Sequence, residues 1–308
     1  MQTCSCPESG HVLGLRVAGI SISLQSFLPW QLTDPFLPFV EEVSVPDYRV
    51  TFRLTDALPE IPPEVIYESQ CYRVHPDGNS GCLRSFFDPP RDTAPYAVAE
   101  YDWDSGQVRI GCLPKGTHCI SDIHNSFFHI GFEAMLIRSQ RLCLHAACVG
   151  THLGGILFSG PSGIGKSTQA QLWCDFRGAR QINGDRPILS GDGGEWLAWG
   201  SPFAGSSGYH LNEKCRIRAI VMLKQGPSCR IRRLNAPEAF RAVWAGLTVH
   251  SWDKKYIEQA LDLTIALIRD VPVYSFTCTA DESAVQCLEE ELGKDLCLWE
   301  KRESSPDR

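Results

Sequence analysis

Eight consecutive residues constrain this chain more than any others. Gly160-Pro161-Ser162-Gly163-Ile164-Gly165-Lys166-Ser167 fits the spacing G-x-x-x-x-G-K-[ST] at every fixed position. Gly155-Ile156-Leu157-Phe158-Ser159 before it reads as a short buried strand, and Ser167 to Phe176 after it reads as a helix closed by Gly178. Strand, glycine-rich loop and helix in that order point successive backbone N–H groups into a concavity that suits phosphate oxygens. The glycines at 160, 163 and 165 supply backbone conformations closed to residues with a Cβ. Lys166 adds a mobile cation for β- and γ-phosphates, Ser167 a hydroxyl for Mg²⁺, and the helix start a favourable dipole end. The alternative is a glycine-rich turn that binds nothing, and a match of this length in this context argues against it.

The surrounding chain has 308 residues, enough for two domains that each bury a core. Its 43% hydrophobic and 21% charged residues are the balance of a globular rather than a disordered protein. The formal net charge is -7 and no Lys/Arg-rich run appears, so a nucleic-acid partner has no electrostatic support, although an acidic protein still binds ATP locally. No apolar run reaches the length of a membrane span, and Met1 to Gly19 lacks a charged-then-apolar leader. The sequence therefore predicts a cytoplasmic chain with no membrane partner. Its 14 cysteines are scattered, without a C-x-x-C pair, and read as small buried hydrophobes. Cys4-Ser5-Cys6 reads as a metal or redox pair or as a frayed terminus.

Residues 1–124 read as a mainly β domain. Val12 to Val17, Ile20 to Leu24 and Tyr48 to Leu54 alternate as strands do, and Ala97 to Ile110 reads as a hairpin turning at Asp104-Ser105-Gly106. Frequent prolines keep these strands short. Asn125 then caps a helix from Ser126 to Arg138, whose aromatic stripe of Phe128 and Phe132 reads as core packing. Residues 125–299 form the second domain and 300–308 a loose polar tail.

In the second domain, Leu142 to Val149 reads as one buried strand carrying His145, which is either a satisfied core residue or a functional one. Gln181 to Ser190 and Glu195 to Trp199 read as strands around a turn at Gly191-Asp192-Gly193-Gly194. Asp185 stands among apolar residues of the first, where an unpaired charge is costly to bury. It is the first downstream acid suited to hold Mg²⁺ for the loop, against a structural pairing with Arg186. Gly200 to Lys214 is a small and polar stretch that reads as a lid, a substrate contact or a plain connector. Arg218 to Leu223 and Cys229 to Leu234 read as a strand pair, followed by helices over 237–247 and 254–269, a strand over 271–276 and a helix over 281–292. The arginines of the second strand read as solvated edge charges.

His145 on its strand, the loop Gly160 to Thr168, Asp185-Arg186, and Gly200-Ser201-Pro202 together resemble the catalytic domain of HPr kinase/phosphorylase, whose fold is shared with phosphoenolpyruvate carboxykinases. The resemblance covers roughly His145 to Phe276, and the N-terminal half does not resemble that family's. It implies an α/β fold with a P-loop and a mainly β N-terminal domain. It also implies an ATP- and Mg²⁺-dependent kinase acting on a hydroxyl, with serine of a small protein or peptide as acceptor and the N-terminal half recognising it. Gly160 to Thr168 would bind the nucleotide, Ser167 and Asp185 the metal, and Lys166, Asp185 and His145 would carry the chemistry. The family has an acidic pair after the loop helix; here it reads Gly184-Asp185, one carboxylate fewer. That departure leaves Asp185 to serve as base or as metal ligand, and it supports a rival reading as a nucleotide-binding regulatory module without chemistry. A second rival is a kinase of a sugar, polyol or free amino acid. The family's oligomers leave a homo-oligomer open for this chain.

Overall fold

The computed structural model describes residues 10–76, 82–88, 93–192 and 195–303, with side chains in the last helix as far as residue 294. The chain divides into two compact units, Met1–Met135 and Leu136–Arg308, where the sequence places the division at 124/125. Cys4, Cys6, the Gly193-Gly194 turn and the tail beyond 303 lie outside the described residues.

The first unit is one eight-stranded sheet. β1 (His11–Val17) and β2 (Ile20–Ser26) form a hairpin whose two turn residues, Ala18 and Gly19, both have positive φ (50° and 81°). With β3 (Tyr48–Leu54), β4 (Tyr67–Glu68), β5 (Tyr72–Pro76), β6 (Cys82–Phe86), β7 (Ala97–Asp102) and β8 (Gln107–Cys112), the order is β1-β2-β3-β8-β7-β6-β5-β4. β3 lies parallel to both neighbours. The predicted β7–β8 hairpin is present, with Gly106 at φ 66° in its turn. α1 (Thr117–Ile120), α2 (Ile123–Ile130) and α3 (Phe132–Arg138) follow. The single helix expected over 126–138 is thus two. Gly131 breaks it at φ 70°, where a Cβ would come within 2.9 Å of the Tyr101 ring, and the cap is Asp122, whose carboxylate accepts from Asn125 N–H. Leu15, Ile22, Phe36, Phe39, Phe52, Phe86 and Phe127 form the core.

The second unit is a nine-stranded mixed sheet between two helical layers. Its strands are β9 (Arg141–Cys143), β10 (Ala146–Thr151), β11 (Gly154–Ser159), β12 (Arg180–Asn183), β13 (Ile188–Asp192), β14 (Glu195–Trp199), β15 (Lys214–Gln225), β16 (Arg230–Arg233) and β17 (Val273–Cys278). The order β12-β10-β11-β15-β14-β13-β9 branches at β15, which also pairs with β17. β16 pairs with β17 and not with β15 as the sequence suggests, because the longer-range parallel pairing of β15 with β17 comes between them. The helices are α4 (Lys166–Arg177), α5 (Ala236–Trp244), α6 (Lys254–Asp270) and α7 (Glu282–Glu303), the last running past its expected end.

Alternation along the strands sorts the core into two faces. Ala146, Cys148, Leu157, Ile220 and Val273 meet Val243, Ala260 and Leu267 of α5 and α6. Ala147, Val149, Ile156, Phe158, Val221 and Phe276 meet Ala170 and Trp173 of α4 and Val285 and Leu288 of α7. Strands buried on both faces read as the unbroken apolar runs seen at 146–149 and 219–223. Among the described residues no helix is long and apolar enough to cross a membrane.

Candidate active site

β11 runs parallel to β15, and β15 parallel to β17. Residues 160–165 therefore leave the sheet at the carboxyl end of a parallel strand, the edge at which open α/β sheets present loops to ligands. Gly160, Gly163 and Gly165 have φ of 143°, 75° and 110°. A Cβ on Gly163 or Gly165 would meet nothing within 4 Å, so conformation rather than crowding requires glycine there. Lys166 opens α4 and folds back, its Nζ donating to the carbonyls of Gly160 (3.1 Å) and Pro161 (3.1 Å). Partial burial holds its pKa below the usual lysine range; Asp185 opposes that shift and Arg186 adds to it. Ser167 and Thr168 are exposed on the first turn of the helix.

The strand expected over 142–149 is broken at His145. β9 pairs with β13, whereas β10 pairs with β11 and β12, and the break between them is tied down by backbone bonds to other segments. Leu144 N–H donates to Pro187 O, His145 N–H to Gly246 O and Ala146 N–H to Asp185 O, at 3.2, 2.8 and 3.0 Å. The Ser159 hydroxyl, at the end of β11, donates to the His145 carbonyl (2.8 Å). These bonds turn the half-buried imidazole to Asp185, with Nε2 3.1 Å from Oδ1. Burial lowers the His145 pKa, Lys166 and Arg186 lower it further, and Asp185 opposes them.

Asp185 sits in the turn between β12 and β13 and not on a strand. The reason is Asn183, fully buried at the end of β12. Its side-chain oxygen accepts from the N–H groups of both Asp185 (3.0 Å) and Arg186 (2.7 Å), a local bond that competes with continuing the strand. Its amide nitrogen donates to the carbonyl (3.0 Å) and hydroxyl (3.2 Å) of Ser201, and the Ser201 hydroxyl donates to Arg186 O (2.7 Å). Arg186 in turn reaches Asp185 Oδ2 with Nε at 3.5 Å and donates from Nη1 to Thr248 Oγ1 at 3.0 Å.

The 200–214 stretch packs onto this turn and is more than a connector. Gly184 N–H donates to Tyr209 O, Leu211 N–H to Ile182 O, and Asn183 bridges to His210. A Cβ on Gly184 would fall 1.5 Å from Ser207 Oγ and 3.0 Å from Ala204 O, so the place next to Asp185 where a second acid could stand is filled by this segment. Gly205, at φ 56°, would bring a Cβ within 2.8 Å of Asp185 Cβ.

Of the residues singled out from sequence, His145, Lys166 and Asp185 thus form one electrostatically connected group at the foot of the glycine loop. Asn183 and Thr248 are supporting residues that sequence reasoning passed over, whereas Ser201 was named within the Gly200-Ser201-Pro202 motif without this role. An asparagine at a strand end just before Gly-Asp was the legible sign of the first. Chemically, the group offers one carboxylate, one imidazole and two fixed cations beside a loop shaped for an anion.

No family model matches the chain. No curated protein matches it. Among solved structures it is similar to the HPr(Ser) kinase/phosphatase from Coxiella burnetii, at 14% identity and a TM-score of 0.30, over 52% of this chain and 98% of that one. A likeness this slight assigns neither a family to the chain nor a role to any residue.

Proposed function

We propose that the chain is an ATP- and Mg²⁺-dependent phosphotransferase that moves the γ-phosphate to a hydroxyl, with serine of a small protein or peptide as acceptor. The observation that carries this is the contact of His145 with Asp185, at 3.1 Å, in the same unit as a glycine loop whose three glycines hold positive φ and whose Lys166 folds back onto it. The loop residues fit an anion. Three glycines hold positive φ, and the lysine ammonium rests on two neutral carbonyls that a phosphate oxygen would outbid. Ser167 and Asp185 are hard oxygen donors of the kind Mg²⁺ takes alongside water and substrate phosphates. Bound there, the metal would neutralise charge on the transferred group.

The rest of the work falls to the protein. The loop N–H groups and Lys166 orient the phosphates, and Lys166 with Arg186 balances the charge spreading onto the phosphoryl oxygens in transit. As the acceptor oxygen bonds to phosphorus and ADP leaves, the hydroxyl proton passes to the Asp185–His145 pair. Burial, with Lys166 and Arg186, lowers the His145 pKa and so favours the neutral imidazole, the form able to share that proton.

One observation favours a second reading, a nucleotide-binding module without turnover: Ser207 occupies the space that a second carboxylate at 184 would need. ADP formation from ATP and Mg²⁺, measured across serine peptides, HPr-like protein, polyols, sugars and free amino acids, separates the two. Acceptor-dependent turnover abolished by Lys166→Ala and by Asp185→Asn is the expected result. Tight ATP binding with no turnover on any acceptor would favour the module, and absence of ATP binding would sink both.

A further inference from the structure

The two sides of the glycine loop are unlike. His145, just ahead of β10, and Asp185, just after β12, lie on the side of β11 where β10 and β12 follow in the sheet. On the other side stand β15 and then β17, parallel to β11, so their carboxyl ends reach the same edge of the sheet as residue 160. Ser159 ends β11 opposite Met222, and β15 continues past it through Leu223, Lys224 and Gln225. Gln225 lies opposite Cys278, the last residue of β17. The two strand ends form a rim beside the loop, which the chemistry at Asp185 does not use.

Hydrogen bonds tie that rim to the loop and to its helix. Gln225 Nε2 donates to Ile164 O, within the loop, at 3.5 Å, and Gln169 Nε2 on α4 donates to Thr279 O at 2.8 Å. Gly226 closes the end of β15 against β17: its N–H donates to Cys278 O, and a Cβ there would fall 2.4 Å from Thr277 Cγ2. The rim mixes polar and apolar groups. The hydroxyls of Thr279 and Ser283 lie 3.3 Å apart, and Cys229 Sγ is 3.7 Å from the first and 3.9 Å from the second. Ile164 adds a half-buried aliphatic chain from the loop. The turn at the start of α7, in which Asp281 accepts from the Ser283 N–H at 2.9 Å, is ordinary local structure. It does not account for the exposed Gln225 lying on the loop through one long bond.

We infer that this rim holds the nucleoside of the phosphate donor, seated over the ends of β15 and β17. The inference rests on the phosphotransferase reading above: with the terminal phosphate delivered to Asp185 and His145 on one side of the loop, the nucleoside leaves on the other. Adjacent strands are about 4.8 Å apart, so a ribose over the end of β15 leaves the base over that of β17. Gln225 exchanges its long bond to Ile164 O for a shorter one to the nucleoside. The hydroxyls of Thr279 and Ser283 meet polar edges of the ligand, and the Cys229 sulfur and the Ile164 chain give the base soft, apolar contact. The donor class is therefore a nucleoside 5′-triphosphate. A donor made of phosphates alone would leave the rim without a function.

The test compares Mg²⁺-ADP with Mg²⁺-pyrophosphate, which has the same two phosphates and no nucleoside, by calorimetry on the full chain. ADP should bind the more tightly. Gln225→Ala should weaken ADP by about two- to tenfold, the size of one neutral hydrogen bond, and leave pyrophosphate unchanged. Independently of any variant, photolysis of bound 8-azido-ADP should label the chain within residues 224–229 or 278–283. Equal affinity for ADP and pyrophosphate, ADP binding indifferent to Gln225→Ala, a loss shared by both ligands, or label confined to other segments overturns the inference and leaves the phosphate loop standing. Binding of neither ligand would sink the phosphotransferase reading and this inference together.

Discussion

Residues 160–165 take their shape from within, whereas the turn presenting Asp185 takes its shape from residues far along the chain. In the loop, glycine backbone preference does most of the work, and at Gly163 and Gly165 nothing else comes within 4 Å of a would-be side chain. In the turn, Asn183 is locked by Ser201, and the 200–212 segment is hydrogen-bonded to Ile182 and Gly184. A loop of the first kind tolerates change around it and fails only at its own positions. A turn of the second kind can be lost through residues that never meet a ligand.

The largest expected effect breaks the comparison on the functional side. Lys166→Ala and Asp185→Asn should each lower kcat/KM by about 10²–10³-fold or more, in steady-state assays with a productive acceptor. Their unfolding midpoints in urea should move little, because neither side chain is a structural hub. A loss of several kcal/mol in either variant would show that folding, and not chemistry, was removed.

Asn183→Ala should do the reverse. It removes the acceptor of the part-buried N–H groups of Asp185 and Arg186, each costing roughly 1–3 kcal/mol, so a total of about 2–6 kcal/mol is expected in urea unfolding, while the Ser201 hydroxyl keeps its bond to Arg186 O. Activity should fall with it as the carboxylate loses its fixed position. Next in size is Gly184→Asp, which restores a carboxylate on paper but drives a Cβ into Ser207 and Ala204 O. It should destabilise by about 1–3 kcal/mol and raise no activity, and Ser207→Gly should recover part of the loss. A more active and equally stable Gly184→Asp would mean that the 204–207 segment is a movable lid.

The same contrast explains what could be read from the sequence. The loop, its strand and α4 down to the Gly178 cap were legible because each rule involved lies within a few residues. The mixed sheet was legible as apolar runs, but not the β15–β17 pairing that separates β15 from β16, since pairing partners are set by packing of distant segments. His145 and Asp185 were named from sequence and yet placed on strands. Both sit in breaks instead, because Gly246, Pro187 and Asn183 capture backbone groups that a continuous strand would have used. The Asp122 cap was displaced from Asn125 by a helix that starts earlier than its polar pattern suggests.

The smallest effect sharpens the comparison, because it asks whether the two differently built halves are joined by charge. His145 has a pKa lowered by burial and then by Lys166 and Arg186, with Asp185 pulling the other way. Below the ordinary value of about 6.5, the unfolded chain therefore takes up a proton before the folded one does. The contribution of this group to stability is present above that value and is lost as pH falls through the window beneath it. Lys166→Ala removes a cation and should shift the His145 titration upward, towards the ordinary value; Asp185→Asn removes the opposing anion and should shift it further down. Both shifts are readable from the imidazole proton resonances, assigned with His145→Gln. A titration that ignores Lys166→Ala would separate the loop from the turn electrostatically, and the shared proton and phosphate chemistry proposed for them would lose its physical link.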